Sequence, residues 1–224
     1  MSTALIIGAG QGLSASLARA LHARGHSLVL AARDTSDLGT LASETSATLV
    51  NCDARNGDDM ARLFETVDAT GPLDVAIYNP SARVRGAVAE LNPDSVKNAI
   101  LITAYGAFLM AHHAANRMLA QGHGALLFTG ASAGVKGFAN SSSFAMGKFA
   151  LRGLCQSLAR ELHPQNIHIG HFVIDGGIAK PNDPDPGNSV LHPDAIAQTY
   201  MHFLDQHPSC WAWEIELRPQ SELF

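Results

Sequence analysis

Ala4-Leu-Ile-Ile-Gly8-Ala-Gly10-Gln11-Gly12-Leu13-Ser14 opens the chain with four apolar residues that run straight into a turn holding three glycines. Glycine lets a backbone turn tightly and approach a pyrophosphate, and a helix N-terminus behind the turn offers N–H donors and a positive dipole end. The glycine spacing alone is weak; an apolar strand before it and a helix after it are what point to a nucleotide. The competing reading is a tight strand-to-helix turn with no ligand.

The same alternation continues outward. Short apolar runs predict strands at Ala4–Ile7, Ser27–Ala32, Thr48–Cys52, Leu73–Tyr78, Gly124–Thr129, Ile167–Ile174 and Trp213–Leu217. Helix-period segments lie between them at Gly12–Arg24, Thr35–Thr45, Asp58–Ala69, Pro93–Gln121, Phe144–Leu162 and Pro193–Gln206. Repeated βα units imply an α/β fold, a doubly wound parallel sheet of about seven strands with helices on both faces. No repeat, low-complexity block or linker divides residues 1–224, so one domain is expected. Lys180–Pro193 carries prolines at 181, 184, 186 and 193 and reads as a loop.

A hydrophobic content of 46% with 16% charged residues fits an ordinary globular protein. The net charge of −5 and the lack of a basic stripe argue against a nucleic-acid surface. Cys52, Cys155 and Cys210 are far apart and odd in number, which suggests buried thiols in the reducing cytoplasm. No charged segment precedes the first apolar run, so no secretory leader is expected. Ala99–Ala111 is too short to span a membrane. The 11 histidines contain no ligand spacing, and no metal site is expected.

The second informative stretch is Ser141-Ser-Ser143-Phe144-Ala-Met-Gly-Lys148. On a helix, residues four apart share a face, so the Phe144 ring and the Lys148 ammonium point into one site. With the glycine turn, this stretch resembles the short-chain dehydrogenase/reductase family over nearly the whole chain, and specifically a divergent branch with Phe-x-x-x-Lys in place of Tyr-x-x-x-Lys. The resemblance implies a Rossmann-type fold and NAD(P)-dependent oxidoreduction of a small-molecule substrate. It also implies a homodimer, built by pairing the helices predicted at Pro93–Gln121 and Phe144–Leu162 with their copies, or a homotetramer that doubles it through the C-terminal strand.

The family pattern Thr-Gly-x-x-x-Gly-x-Gly meets Ile7 and Ser14 at its first and last positions, and Ser14 is expected to crowd the helix slightly against the sheet. Gly8, Gly10, Gln11, Gly12 and Leu13 would line the pyrophosphate. At the end of the second strand the family's acidic position falls on Ala32 and is empty. Arg33 follows, where NADP-using relatives place a base, so NADPH is expected over NADH; a solvated arginine is the bland alternative, and Asp34 could blunt the preference. Asp53 resembles the carboxylate that holds adenine, or it caps the next helix. Asn79 matches the adenosine-side asparagine of the family's Asn-Asn-Ala-Gly, while Tyr78, Pro80 and Ser81 depart from it. Gly176 and Ile178 would pass beside the nicotinamide, and Lys180 is a solvated loop residue or reaches an acidic group.

The family's catalytic serine falls on Ala131, its tyrosine on Phe144 and its relay asparagine on Thr103; Lys148 alone remains. Phenylalanine cannot donate a proton, and general acid–base help is typically worth ~10²–10⁴ in rate. Lys148 then reads as a ribose contact, or as a direct participant. Ser132, Ser141, Tyr78 and Thr103 are the hydroxyls nearby that could substitute. The serine run reads otherwise as a helix cap, and Ser132 should point elsewhere if strand geometry continues past Ala131. Two functions remain open: an oxidoreductase with altered proton transfer, and a catalytically idle NADP(H)-binding sensor or scaffold.

Overall fold

The computed structural model describes residues 2–180 and 188–221. Its strands are β1 (Thr3–Ile7), β2 (Ser27–Ala32), β3 (Thr48–Asn51), β4 (Leu73–Tyr78), β5 (Gly124–Thr129), β6 (Ile167–Ile174) and β7 (Glu214–Leu217). The helices are α1 (Leu13–Ala23), α2 (Gly39–Thr45), α3 (Gly57–Thr70), α4 (Pro93–Ile100), α5 (Gly106–Gln121), α6 (Ser142–Leu162) and α7 (Pro193–Leu204). All pairings are parallel, in the order β3-β2-β1-β4-β5-β6-β7. This is the doubly wound, Rossmann-like sheet expected. The order reverses between β1 and β4, and ligands of such sheets bind at the strand ends beside that switch point.

Successive strand side chains face opposite layers. Leu5 and Ile7 of β1 join Phe64 of α3, Met110 of α5 and Leu151 of α6 on one face. Ala4 and Ile6 join Leu17 of α1 and Tyr200 of α7 on the other. Every residue of β1 is therefore buried, which is why, after Thr3, its sequence is an apolar run instead of an alternating one.

Four local expectations need correction. The helix predicted from Thr35 starts at Gly39, because Asp34 accepts the Ser36 N–H at 2.9 Å and Thr35 Oγ1 donates to Asn51 Oδ1 at 2.8 Å. These side-chain bonds compete with the helix. The helix predicted over Pro93–Gln121 is interrupted by a π-turn at Leu101–Tyr105. The serine run does not cap α6: Ser141 occupies the N-cap without a side-chain bond, and Ser143 Oγ bonds the Val84 backbone instead. Asp53 does not cap α3; Asn56 does, accepting from the N–H groups of Asp58 and Asp59. Pro181, Pro184 and Pro186 lie outside the described residues. The base of that loop is held where Ile178 bridges Leu191, and the Ala179 N–H reaches Leu191 O at 2.9 Å.

Candidate active site

The ends of six strands border one groove. Its first part is a cavity of about 550 Å³ walled by Gly8, Ala32, Arg33, Asp53, Pro80 and Ser81. Ser81 also borders the second part, about 820 Å³, where Gly12, Asn79, Ala131, Phe144, Lys148 and Gly176 are found.

The glycine turn shapes the floor between them. Gly8 has φ +80°, and a Cβ there would meet Pro80 N at 2.8 Å. A Cβ on Gly10 or Gly12 would meet nothing within 4 Å, so this side of the turn is open. Gly12 is the N-cap of α1 and brings no capping side chain, which leaves first-turn N–H groups for an anion. Gln11 turns away and donates to Asp37 O at 2.6 Å. Ser14 does not crowd the helix. Its Oγ donates to Gly8 O at 2.8 Å and accepts from Asn79 Nδ2 at 2.5 Å, tying the ends of β1 and β4 to α1.

At the β2 end Arg33 is exposed and meets no carboxylate among the described residues, while Asp34 is engaged with Ser36. Asp53 is held by Arg55, whose Nε donates at 3.0 Å and whose Nη2 donates at 2.5 Å. Those bonds keep the Asp53 carboxyl below its ordinary pKa. An open glycine turn at a helix N-terminus fits the pyrophosphate of a dinucleotide.

At the other end Lys148 is buried, and its Nζ donates to Thr129 O at 2.7 Å. Burial, with Arg83 nearby, lowers the ammonium pKa to about 8. The Phe144 ring centroid lies 5.8 Å from Nζ and 3.9 Å from the Arg83 guanidinium carbon. Thr103 is buried in the π-turn, where its Oγ1 accepts the Ala82 N–H at 3.1 Å. Tyr78 is not a pocket hydroxyl; it is fully buried and donates to Ile102 O. Past Ala131 the chain leaves extended geometry for a 3₁₀ turn at Ser132–Gly134, so Ser132 lines the pocket after all. Ser132 and Ser141 border a side cleft of about 480 Å³. Leu13, Ile178 and Lys180 also line the larger cavity.

Residues that drew no attention in the sequence complete the site. Gly130 must be glycine, because a Cβ would lie 2.3 Å from His171 Nε2. His171 Nδ1 bonds Glu214 at 2.9 Å, Glu214 is gripped by Arg152, and burial lowers the His171 pKa to about 4. Arg83 and Arg85 stand in the wall shared by the larger cavity and the side cleft. A run of alternating arginines behind a proline was the available signal for them. Among the described residues there is no group of metal-ligating side chains, and no helix is long and apolar enough to cross a membrane.

A model of the short chain dehydrogenase family matches residues 2–180. A short-chain dehydrogenase from Rhodopseudomonas palustris is 32% identical and superposes with a TM-score of 0.86, covering 97% of this chain and 98% of that one. Trans-4-hydroxycyclohexanecarboxylate dehydrogenase of Sinomonas cyclohexanicum is 30% identical over 190 residues, 80% of this chain and 73% of the relative. An uncharacterized oxidoreductase of Staphylococcus aureus (strain USA300) is 26% identical over 223 residues, 96% of either chain.

Proposed function

The chain belongs to the short chain dehydrogenase family, and on that premise we propose that it is an oxidoreductase that binds NADP(H) and moves its proton by an altered route. The observation that carries this reading is the groove running from unpaired Arg33, across the open glycine turn, to buried Lys148. Gly8, Gly10, Gly12 and Leu13 would hold the pyrophosphate and Arg33 the 2′-phosphate. Asp53 and Asn79 would flank the adenosine half, and Gly176 and Ile178 the nicotinamide.

When bound, NADPH supplies a hydride to a carbonyl carbon. The chain's own part is to hold the carbonyl and deliver a proton to its oxygen. Neither Phe144 nor Ala131 carries one. Lys148, with its pKa lowered to about 8, is poised near neutrality to give up a proton and recover it from water. We assign the chain to a branch of the family with Phe-x-x-x-Lys, on the strength of Phe144 and Lys148 themselves. The Sinomonas relative's name specifies a secondary alcohol, and we assign this chain the same reacting class, a secondary alcohol and its ketone. The free thiols Cys52, Cys155 and Cys210 suit a cytoplasmic site of action, and the exposed aromatics of α5 and α6 suit a homodimer.

The idle-binder reading is favoured by one observation. The hydroxyls of Thr103, Ser143 and Tyr78 are all committed to backbone groups. The two readings part in single-turnover NADPH oxidation with a panel of small ketones. The oxidoreductase reading predicts slow but saturable oxidation, lost in Lys148→Met beyond any loss of NADPH affinity. Cofactor binding with no oxidation above buffer at any pH would leave the idle reading standing.

A further inference from the structure

Arg83 helps to lower the Lys148 pKa and Arg85 has no role above, yet the chain between them is firmly built. The Ala82 N–H is held by Thr103 Oγ1 at 3.1 Å, and the Gly86 N–H by Asn140 O at 3.1 Å. Between them, buried Ser143 Oγ accepts the Val84 N–H at 2.9 Å and donates back to Val84 O at 2.8 Å. Anchoring alternate residues in this way is the pattern of an extended chain, whose intervening side chains share the opposite side. Arg83 and Arg85 accordingly border the same two cavities.

Their charges are uncompensated. Neither guanidinium meets a carboxylate among the described residues. Asp175, across the larger cavity, is taken up by Lys136 at 3.4 Å and Arg218 at 3.0 Å. Burial and the neighbouring Arg85 both work against the charge on Arg83. Two like charges held together without a counter-ion repel, and an anion between them relieves that cost. A chain with a net charge of −5 here presents two unpaired arginines beside the Lys148 ammonium. Phe138 and Phe144 supply the apolar part of the side cleft, and Ser132 and Ser141 its hydroxyls.

We propose that Arg83 and Arg85 form a carboxylate clamp, so that the substrate is a small organic acid with its apolar body against Phe138 and Phe144 and its reacting carbon toward Lys148. A carboxylate suits the planar arginine fork, which offers paired N–H donors. The side cleft of about 480 Å³ leaves room for a single ring or short chain. The proposal rests on the reading that the larger cavity is the nicotinamide end of the groove.

The test is calorimetric titration of benzoate, benzamide and phenyl phosphate into the full chain, with and without saturating NADP⁺. Benzoate should bind at least about tenfold more tightly than its neutral isostere benzamide. Arg83→Gln with Arg85→Gln should remove that difference while NADPH affinity stays unchanged. Arg85→Gln alone, which leaves the Arg83–Phe144 stack intact, serves if the double variant does not fold. Equal affinities for benzoate and benzamide, no saturable benzoate binding, or undiminished benzoate binding in a folded Arg85→Gln protein each overturn the clamp. Tighter binding of phenyl phosphate than benzoate overturns the assignment to a carboxylate. Failure of NADPH to bind while benzoate discrimination persists would instead remove the cofactor reading and leave the clamp in place.

Discussion

At position 144 a phenyl ring carries the Arg83 guanidinium 3.9 Å from its centroid and the Lys148 ammonium 5.8 Å away. A phenol in that place would offer a proton beside a lysine; a phenyl ring offers only a face on which cations rest. Ala131, at the start of the turn after β5, likewise has no hydroxyl to anchor a carbonyl oxygen. Restoring both groups tests what their absence costs. Phe144→Tyr with Ala131→Ser should raise NADPH-dependent reduction of a small activated ketone by ~10²–10⁴, the usual worth of general acid–base help. Either change alone should do much less, because residues that act as a unit are not additive. Brisk turnover by the unmutated protein that vanishes in Ser132→Ala or Ser141→Ala would mean that a relocated hydroxyl already does this work.

Strand β6 carries two buried histidines, His168 and His171. His168 is stacked between Phe203 at 4.0 Å and Trp211 at 4.3 Å, and its Nε2 bonds Ala212 O at 2.9 Å. Burial lowers the pKa of both His168 and His171 to about 4. Their folded values lie below the unfolded one of about 6.5, so the unfolded chain binds more protons in between. The stability they lend is complete above pH 6.5 and is lost as pH falls toward 4, at up to ~1.4 kcal/mol per pH unit for each. His26, His113 and His163 shift in the same direction through burial. The melting temperature of the cofactor-free protein should therefore drop across that window. His168→Phe should flatten the drop, at a cost of about 1 kcal/mol near neutrality for the lost hydrogen bond; an unchanged acid slope would rule out His168 as a source. Elements of this kind were unevenly legible in the sequence. β1 and the glycine turn could be read because a strand buried on both faces must be apolar throughout. The start of α2 could not, because Thr35 is drawn off by Asn51, sixteen residues away. The π-turn at Leu101–Tyr105 leaves the apolar composition of its helix unchanged. Arg83 and Arg85 are set by Thr103, Asn140 and Ser143, contacts that no local pattern encodes.

On the outside of the molecule, Tyr105, Phe108, Met146 and Phe149 are 45%, 48%, 54% and 46% exposed, while Leu109 and Leu151 from the same stretches are buried. Apolar residues left uncovered on neighbouring helices mark a contact surface, and an isologous dimer would cover them with their own copies. Light scattering at micromolar concentration should give twice the chain mass of 23.6 kDa, and Phe108→Glu with Phe149→Glu should give a folded monomer; a monomeric mass for the unmutated chain would refute the dimer. Inside, the groove joins Arg33 to Lys148 across the switch point of the sheet. Arg33 forms no ion pair among the described residues, although Asp53 feels its charge, and Ala32 places no acid in the way. The direct measurement is equilibrium titration of NADPH and NADH into the unmutated chain and into Arg33→Ala. A charged hydrogen bond of roughly 1.5–3 kcal/mol predicts NADPH binding about 10- to 150-fold tighter than NADH, with most of that difference gone in the variant. Equal dissociation constants for the two cofactors in the unmutated protein would contradict it.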